Sequence, residues 1–503
     1  MQQAAKQLSA LAYRPHPHLY EINTWAWLEQ LSSQYRRPVC LGDVPDSEWD
    51  HLQTLGFDFI WLMGIWQRSA VGRRIFRTNP ANFAEYDKAL PGWQLKQIVG
   101  SPYSIGEYRP DARIGTWDQL DRVRQKLRER GMGLILDFVP NHTGLDHPWT
   151  RDHPEYYILG TEADFRQNPS AFYLAEDSVG GPILIARGRD PNYSPWEDVA
   201  QLNYFNPATR RAVIGELRKI AEHCDGVRCD MAMLLLNDIF AGTWGRFTAG
   251  RERPEEEFWS EATGALPDFI WIAEVYWDLE WRVQQLGFQF AYDKRLYDRL
   301  RSAPSREVYL HLTAKLDYQS KLVRFLENHD EPRSAAVFRT ERTQALGTLV
   351  ATLPGMRLFH HGQLEGRKIR LPMPLCAAAE EPLDPAVRAF YEKILRMSEE
   401  EVFHRGQWEL LEVKTAGDSS FENLIVYQWR SEQTWKLVVV NLAGAAAQGR
   451  LHFRNEISAA SRYNFFDQLN DETYVRRGDE LSRGGLYIRL EGYRAHLFAV
   501  SPG

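Results

Sequence analysis

Between about residues 19 and 400, short apolar runs alternate with stretches in which apolar positions recur at helical spacing, the pattern of repeated βα units. Eight such runs stand out, at 19–24, 59–63, 134–139, 226–229, 269–273, 288–292, 323–326 and 356–360. They are apolar at consecutive positions, which suits parallel strands buried on both faces. Two helices are also legible. Thr116 is placed to cap a helix over 117–130, with Leu120, Val123 and Leu127 on one face and Gly131 just past its end. Asn206 and Pro207 open another, with Val213, Leu217 and Ile220 inward and His223 in its last turn.

The connection over 143–203 is much longer than an ordinary βα loop, and its Pro, Gly, Asp and aromatic content predicts a small subdomain inserted after the third strand. Past about residue 401 the helical pattern stops. Alternating runs at 423–429, 435–441, 450–453 and 496–500 predict an antiparallel β domain. The expected organisation is an α/β chain: a (β/α)8 TIM barrel over 1–142 and 204–400, an insert over 143–203 and a β domain over 401–503.

A barrel of eight parallel strands presents every strand's C-terminal end on one face, where its active site forms. Polar residues collect at those ends. Asp137, Asn141 and His142 follow the third strand, Arg228 and Asp230 close the fourth, Glu274 ends the fifth, and Asn328, His329 and Asp330 follow the seventh. Cleaving a glycosidic bond needs one carboxylic acid to protonate the leaving oxygen and one carboxylate to act at the anomeric carbon. Asp230 beside the Arg228 cation is expected to stay ionised, as a nucleophile must. Glu274 at the end of a hydrophobic strand is expected to be partly desolvated and so to keep its proton. Asp330 supplies a third carboxylate, and His142 and His329 are donors for sugar hydroxyls. Asp137 reads as a carboxylate of the barrel framework, paired with an Arg.

The length of 503 residues leaves room for such a barrel plus a smaller domain. The formal net charge of −7 and the absence of a basic stripe argue against a nucleic-acid partner. The first 20 residues are polar and hold no apolar segment of a signal peptide, and no run of 18 apolar residues exists to span a membrane. Cys40, Cys224, Cys229 and Cys376 form neither a disulfide framework nor a zinc pattern, so a cytoplasmic location is expected.

The segments at 137–142 (Asp-Phe-Val-Pro-Asn-His), 226–230 (Gly-Val-Arg-Cys-Asp), Glu274 after its apolar strand, and 325–330 (Phe-Leu-Glu-Asn-His-Asp) resemble, in order, the four characteristic regions of the α-amylase family, glycoside hydrolase family 13. Supporting likenesses are Phe-Ile-Trp-Leu at 59–62, Gln-Leu-Asn at 201–203, and Pro354-Gly355 and Gly362-Gln363 around the eighth strand. The resemblance covers about residues 15 to 400. It implies a retaining α-glycosidase with Asp230 as nucleophile, Glu274 as general acid/base and Asp330 as transition-state stabiliser. It further implies that Arg228, His142 and His329 bind substrate, that Tyr103 stacks on the sugar at the cleaved linkage, and that the C-terminal domain is a β-sandwich.

Three departures bear on specificity. Ser104 stands where many exo-acting members carry Asp, Gln201 where calcium-dependent amylases carry Asp, and Met233 and Leu234 where they often carry Lys-His. No cofactor is therefore expected, with Asn141 the one residue matching a calcium ligand. The substrate implied is a maltodextrin, glycogen or starch-like glucan, cut at α-glucosidic, chiefly α-1,4, bonds. A transglycosylase or sugar phosphorylase would use the same covalent intermediate, and some relatives of this fold only bind carbohydrate.

Overall fold

A computed structural model of the chain describes residues 13–453 and 457–503; the first 12 residues of the polar N-terminal stretch lie outside them. Eight parallel strands close into a barrel: β1 (His18–Asn23), β2 (Phe59–Met63), β3 (Gly133–Phe138), β4 (Gly226–Cys229), β5 (Ile270–Ala273), β6 (Phe290–Tyr292), β7 (Leu322–Arg324) and β8 (Met356–His360), with β1 completing the ring between β8 and β2. All eight expected runs are strands. Their ends differ from the sequence expectation by two residues at most, because a short apolar run carries no sharp end signal.

Side chains alternate across a strand. The inward set includes Leu19, Phe59, Trp61, Ile135, Ile272, Phe290, Val323 and Met356, which pack as one cluster inside the barrel. The outward set joins the larger core between strands and helices. The expected helix spans Trp117–Glu129, and Thr116 and Gln119 close a reciprocal capping box at its start. Its buried face is Leu120, Val123 and Leu127. The second spans Pro207–His223, with the Asn206 side chain accepting from Ala208 N.

Register brings the chemistry together. Arg228 lies level with Asp137 on β3 and Ile272 on β5, and Cys229 lies level with Ala273. The next residues on each chain, Asp230 and Glu274, therefore emerge side by side at the C-terminal rim. Within 143–203 two antiparallel pairs form, His142–Gly144 with Val199–Gln201 and Phe172–Glu176 with Pro182–Ala186. The first pair ties both ends of the insert to the rim.

The C-terminal region holds a six-stranded antiparallel sheet, whose strands include Leu424–Arg430, Trp435–Asn441 and Ala495–Pro502, and a three-stranded sheet of Val413–Lys414, Ala447–Leu451 and Leu486–Leu490. Val426, Val439, Leu451, Phe465, Ile488 and Phe498 pack in one core between them. The run expected at 450–453 lies instead at Ala447–Leu451, where Ala447, Gly449 and Leu451 face inward at alternate positions. Among the described residues no helix is long and apolar enough to cross a membrane.

Candidate active site

The strand ends surround a cavity of about 370 Å³ lined by Tyr103, His142, Trp196, Asp198, Asp230, Glu274, Tyr276 and Asp330, among others. Its size falls within the range of about 300–1,000 Å³ usual for small-molecule sites. A larger cavity of about 630 Å³ opens at the other end of the barrel, beside Arg124, Arg128 and Asp225. There Asp225 already binds both guanidinium groups, as suits a framework role at a barrel's N-terminal face.

Arg228 is the hub of the smaller cavity. It is 1% exposed. Its Nη1 donates to Asp230 Oδ1 at 2.6 Å, its Nη2 lies 2.7 Å from Glu274 Oε2, and Asp330 Oδ2 is 4.0 Å from the same nitrogen. One fixed cation thus serves three carboxyl groups, a geometry that a planar guanidinium allows and a lysine does not. The Trp61, Tyr103 and Tyr292 rings pack 5.2–5.7 Å from its Cζ.

The three carboxyls are driven apart in acidity. Burial raises Glu274 to about 7 against the pull of Arg228, and Asp230 and Asp330 push it further. Its Oε2 also accepts from Met231 N at 2.7 Å and its Oε1 from the Tyr276 hydroxyl at 2.6 Å. Met231, directly after Asp230, adopts φ 43°, a left-handed turn that costs a non-glycine residue about 1–2 kcal/mol and accompanies the bond across to Glu274. At Asp330 burial is outweighed by His329, Arg228 and Arg370, which hold the carboxyl at about 2. Asp330 is also the most open of the three, with a third of its side chain exposed.

Burial pushes Asp230 upward too, opposed by Arg228. The neighbouring cation favours the ionised form, as expected from sequence, but the depth of the site, which only the closed barrel creates, works the other way. Asp137 corrects a second expectation. It is fully buried, and its carboxyl accepts from Trp61 Nε1 at 3.1 Å and Gly64 N at 2.6 Å rather than from an arginine.

His329 lies between two acids. Its Nδ1 donates to Glu21 Oε1 at 2.5 Å, and its Nε2 is 2.7 Å from the Tyr103 hydroxyl and 3.0 Å from Asp330 Oδ2. Burial disfavours the cation, yet Asp330 and Glu21 more than compensate and raise its pKa well above the ordinary value. His142 is the opposite case: burial lowers it to about 3. Asn141 Nδ2 donates to its Nδ1 at 3.2 Å, which leaves the ring proton on Nε2 as a donor.

Glu21 was not foreseen. It sits inside the apolar run of β1, two residues beyond Leu19 and so on the barrel's inner face, and it is fully buried. A charged residue at an inward position of an otherwise apolar strand was the signal available. Glu21→Gln should pull the imidazole pKa of His329 downward and lower turnover by roughly 10- to 100-fold, the worth of a charge-assisted hydrogen bond. Titration of the His329 ring nitrogens by NMR checks this; an unmoved midpoint would leave Glu21 with a packing role.

The departures also have structural counterparts. Ser104 is buried and donates its hydroxyl to the Asp198 carbonyl at 2.8 Å. Met233 and Leu234 are buried in the core rather than turned to the cavity. Gln201 Nε2 donates to three oxygens, Asn141 O and Oδ1 at 3.0 Å each and Leu202 O at 3.1 Å, while Asn141 Nδ2 returns a bond to Gln201 Oε1 at 3.3 Å. The oxygens that a calcium ion would need converge on an NH2 group, so these residues do not fit the ion. Among the described residues no group of three or more His, Cys, Asp or Glu is gathered to hold a metal.

A family model for the α-amylase catalytic domain matches residues 46–369, which takes in the cavity residues from Phe76 to Asp330. The chain belongs to the α-amylase family. Among relatives of this family member, alpha-amylase 3 of Dictyoglomus thermophilum is 25% identical over 285 residues, covering 50% of this chain and 52% of that protein. Alpha-amylase MalA of Haloarcula japonica is 24% identical over 332 residues, covering 64% and 41%. The chain thus spans about half the length of the curated relatives it matches. In fold it is similar to the maltogenic α-amylase AmyB of Thermotoga neapolitana, with a TM-score of 0.69 at 21% identity over 96% of this chain and 98% of that one.

Proposed function

We propose that this α-amylase-family chain is a retaining glycoside hydrolase that cleaves α-glucosidic, chiefly α-1,4, bonds in maltodextrin or a related glucan. The observation that carries this is the gathering of three carboxyls around one guanidinium: Asp230 Oδ1 accepts from Arg228 Nη1 at 2.6 Å, and Glu274 and Asp330 lie 2.7 and 4.0 Å from its Nη2. Burial raises Glu274 to about 7, which suits it to hold and give a proton. Asp230 attacks the anomeric carbon while Glu274 gives its proton to the departing oxygen. Glu274 then takes a proton from water, which displaces Asp230 from the sugar. Asp330, anionic beside the His329 imidazolium, faces the positive charge that develops on the ring.

Product analysis on starch, glycogen, pullulan, maltooligosaccharides, sucrose and trehalose, each with and without phosphate, tests the substrate class. Hydrolysis of the α-1,4 glucans without any effect of phosphate is expected; sugar phosphates or disproportionated chains as main products would assign the intermediate to another acceptor.

We infer further that the protein works without calcium, from the Gln201 amide that takes up the main-chain and side-chain oxygens of Asn141. Exhaustive chelation should leave both activity and Tm unchanged. A large loss of both, restored by calcium and not by magnesium, would contradict this.

A further inference from the structure

The cavity holds a carboxylate that the reaction above does not use. Asp198 stands at the end of the insert, lines the cavity together with Asp230 and Glu274, and is 8% exposed. Its Oδ2 is buried without a hydrogen-bond partner among the described residues. Burial raises the carboxyl to about 6, against the pull of its own main-chain N–H, Ser104 and Arg187.

The main chain beneath it is pinned. Ser104 donates to the Asp198 carbonyl at 2.8 Å, Val199 pairs with Gly144, and Gly188 N donates to Val199 O at 3.1 Å. The side chain therefore cannot relieve its unmet bond by moving its backbone. Oδ2 is closed to solvent, so it meets a ligand's donor by rotation of the side chain on this fixed backbone, which relieves the cost of an orphaned buried acceptor. Trp196, two residues away, lines the same cavity with its ring 5.2 Å from that of His142, an apolar face beside the acceptor.

We propose that Asp198 is a sugar-binding residue that accepts a hydrogen bond from a ring hydroxyl of a glucosyl unit seated against Trp196, and so helps to decide which unit of the chain is gripped. This rests on the α-glucan reading of the site.

The test uses Asp198→Ala and Asp198→Asn in the full chain, with maltotriose and its monodeoxy analogues as probes. Asp198→Ala should raise KM by about 10- to 100-fold, the loss falling mainly on KM, as for an interaction made equally in ground and transition states. Asp198→Asn, close in volume, should move KM the same way by less, and it reports even where the alanine variant is unstable. One deoxy position should weaken binding to the wild type and make no difference to the variant. Unchanged KM in both variants, or equal penalties for every deoxy sugar in wild type and variant, would overturn the assignment. Wild-type inactivity on all α-glucans would instead overturn the proposed function.

Discussion

Glu274→Gln should lower kcat/KM on maltooligosaccharides by about 10²–10⁴-fold, the usual worth of a positioned general acid, with the fold intact. The amide keeps the shape of the group: its one oxygen can still accept from Met231 N, now 2.7 Å from Glu274 Oε2, while its NH2 can donate to the Tyr276 hydroxyl oxygen, now 2.6 Å from Oε1. It cannot deliver a proton. The loss should shrink when the leaving group needs none: the first-turnover release of fluoride from an α-glucosyl fluoride should be far less affected than cleavage of maltotriose. Equal losses on both would give Glu274 another role. The pH dependence follows from the same group. Burial raises Glu274 to about 7, so its acid form is present below that pH and disappears above it. Wild-type kcat/KM should therefore fall as pH rises through about 7, since this ratio reports the free enzyme's ionisations. That alkaline limb should be missing from the variant.

Much of this was legible in the chain because barrel chemistry lies at strand ends, and strand ends are marked by a change from apolar to polar. Asp230 and Glu274 follow short apolar runs directly, Arg228 interrupts one of them two residues before Asp230, and the register of β3, β4 and β5 turns their linear positions into neighbours. What was hidden depends on closure. Glu21 lies within a strand and meets His329 across 308 positions of sequence. Asp198 belongs to an insert with no periodic pattern, and only the pairing of His142–Gly144 with Val199–Gln201 carries it to the rim. The upward push on Asp230 comes from burial, which no local motif encodes. In the C-terminal region Arg462–Asp467 and Glu472–Arg477 escaped notice because Phe466 and Val475 stand on their exposed faces, which blurs the alternation of apolar and polar positions that marks a half-buried strand.

Asp230→Asn should abolish turnover on unactivated glucans, with a loss of at least about 10⁴-fold, as for other residues that act as the nucleophile of a coupled set. The oxygen that forms the bond to the anomeric carbon is the one at stake, and no neighbour can replace it: Asp330 is committed to His329 at 3.0 Å and Glu274 to Tyr276 and Met231 N. The substitution also removes one negative charge facing Arg228 Nη1. Asp230 helps to raise Glu274, so the pKa of Glu274 should fall in the variant. The measurement closest to the central claim is capture of the covalent intermediate. A fluorinated α-glucosyl donor, slow to be released, should add one sugar to the wild-type protein on the peptide that contains Asp230. The folded Asp230→Asn variant should take up none, and proton NMR of the first product of normal turnover should show the α-anomer, as two successive inversions require. A label on the peptide of Glu274 or Asp330, or a first product of β configuration, would contradict the account.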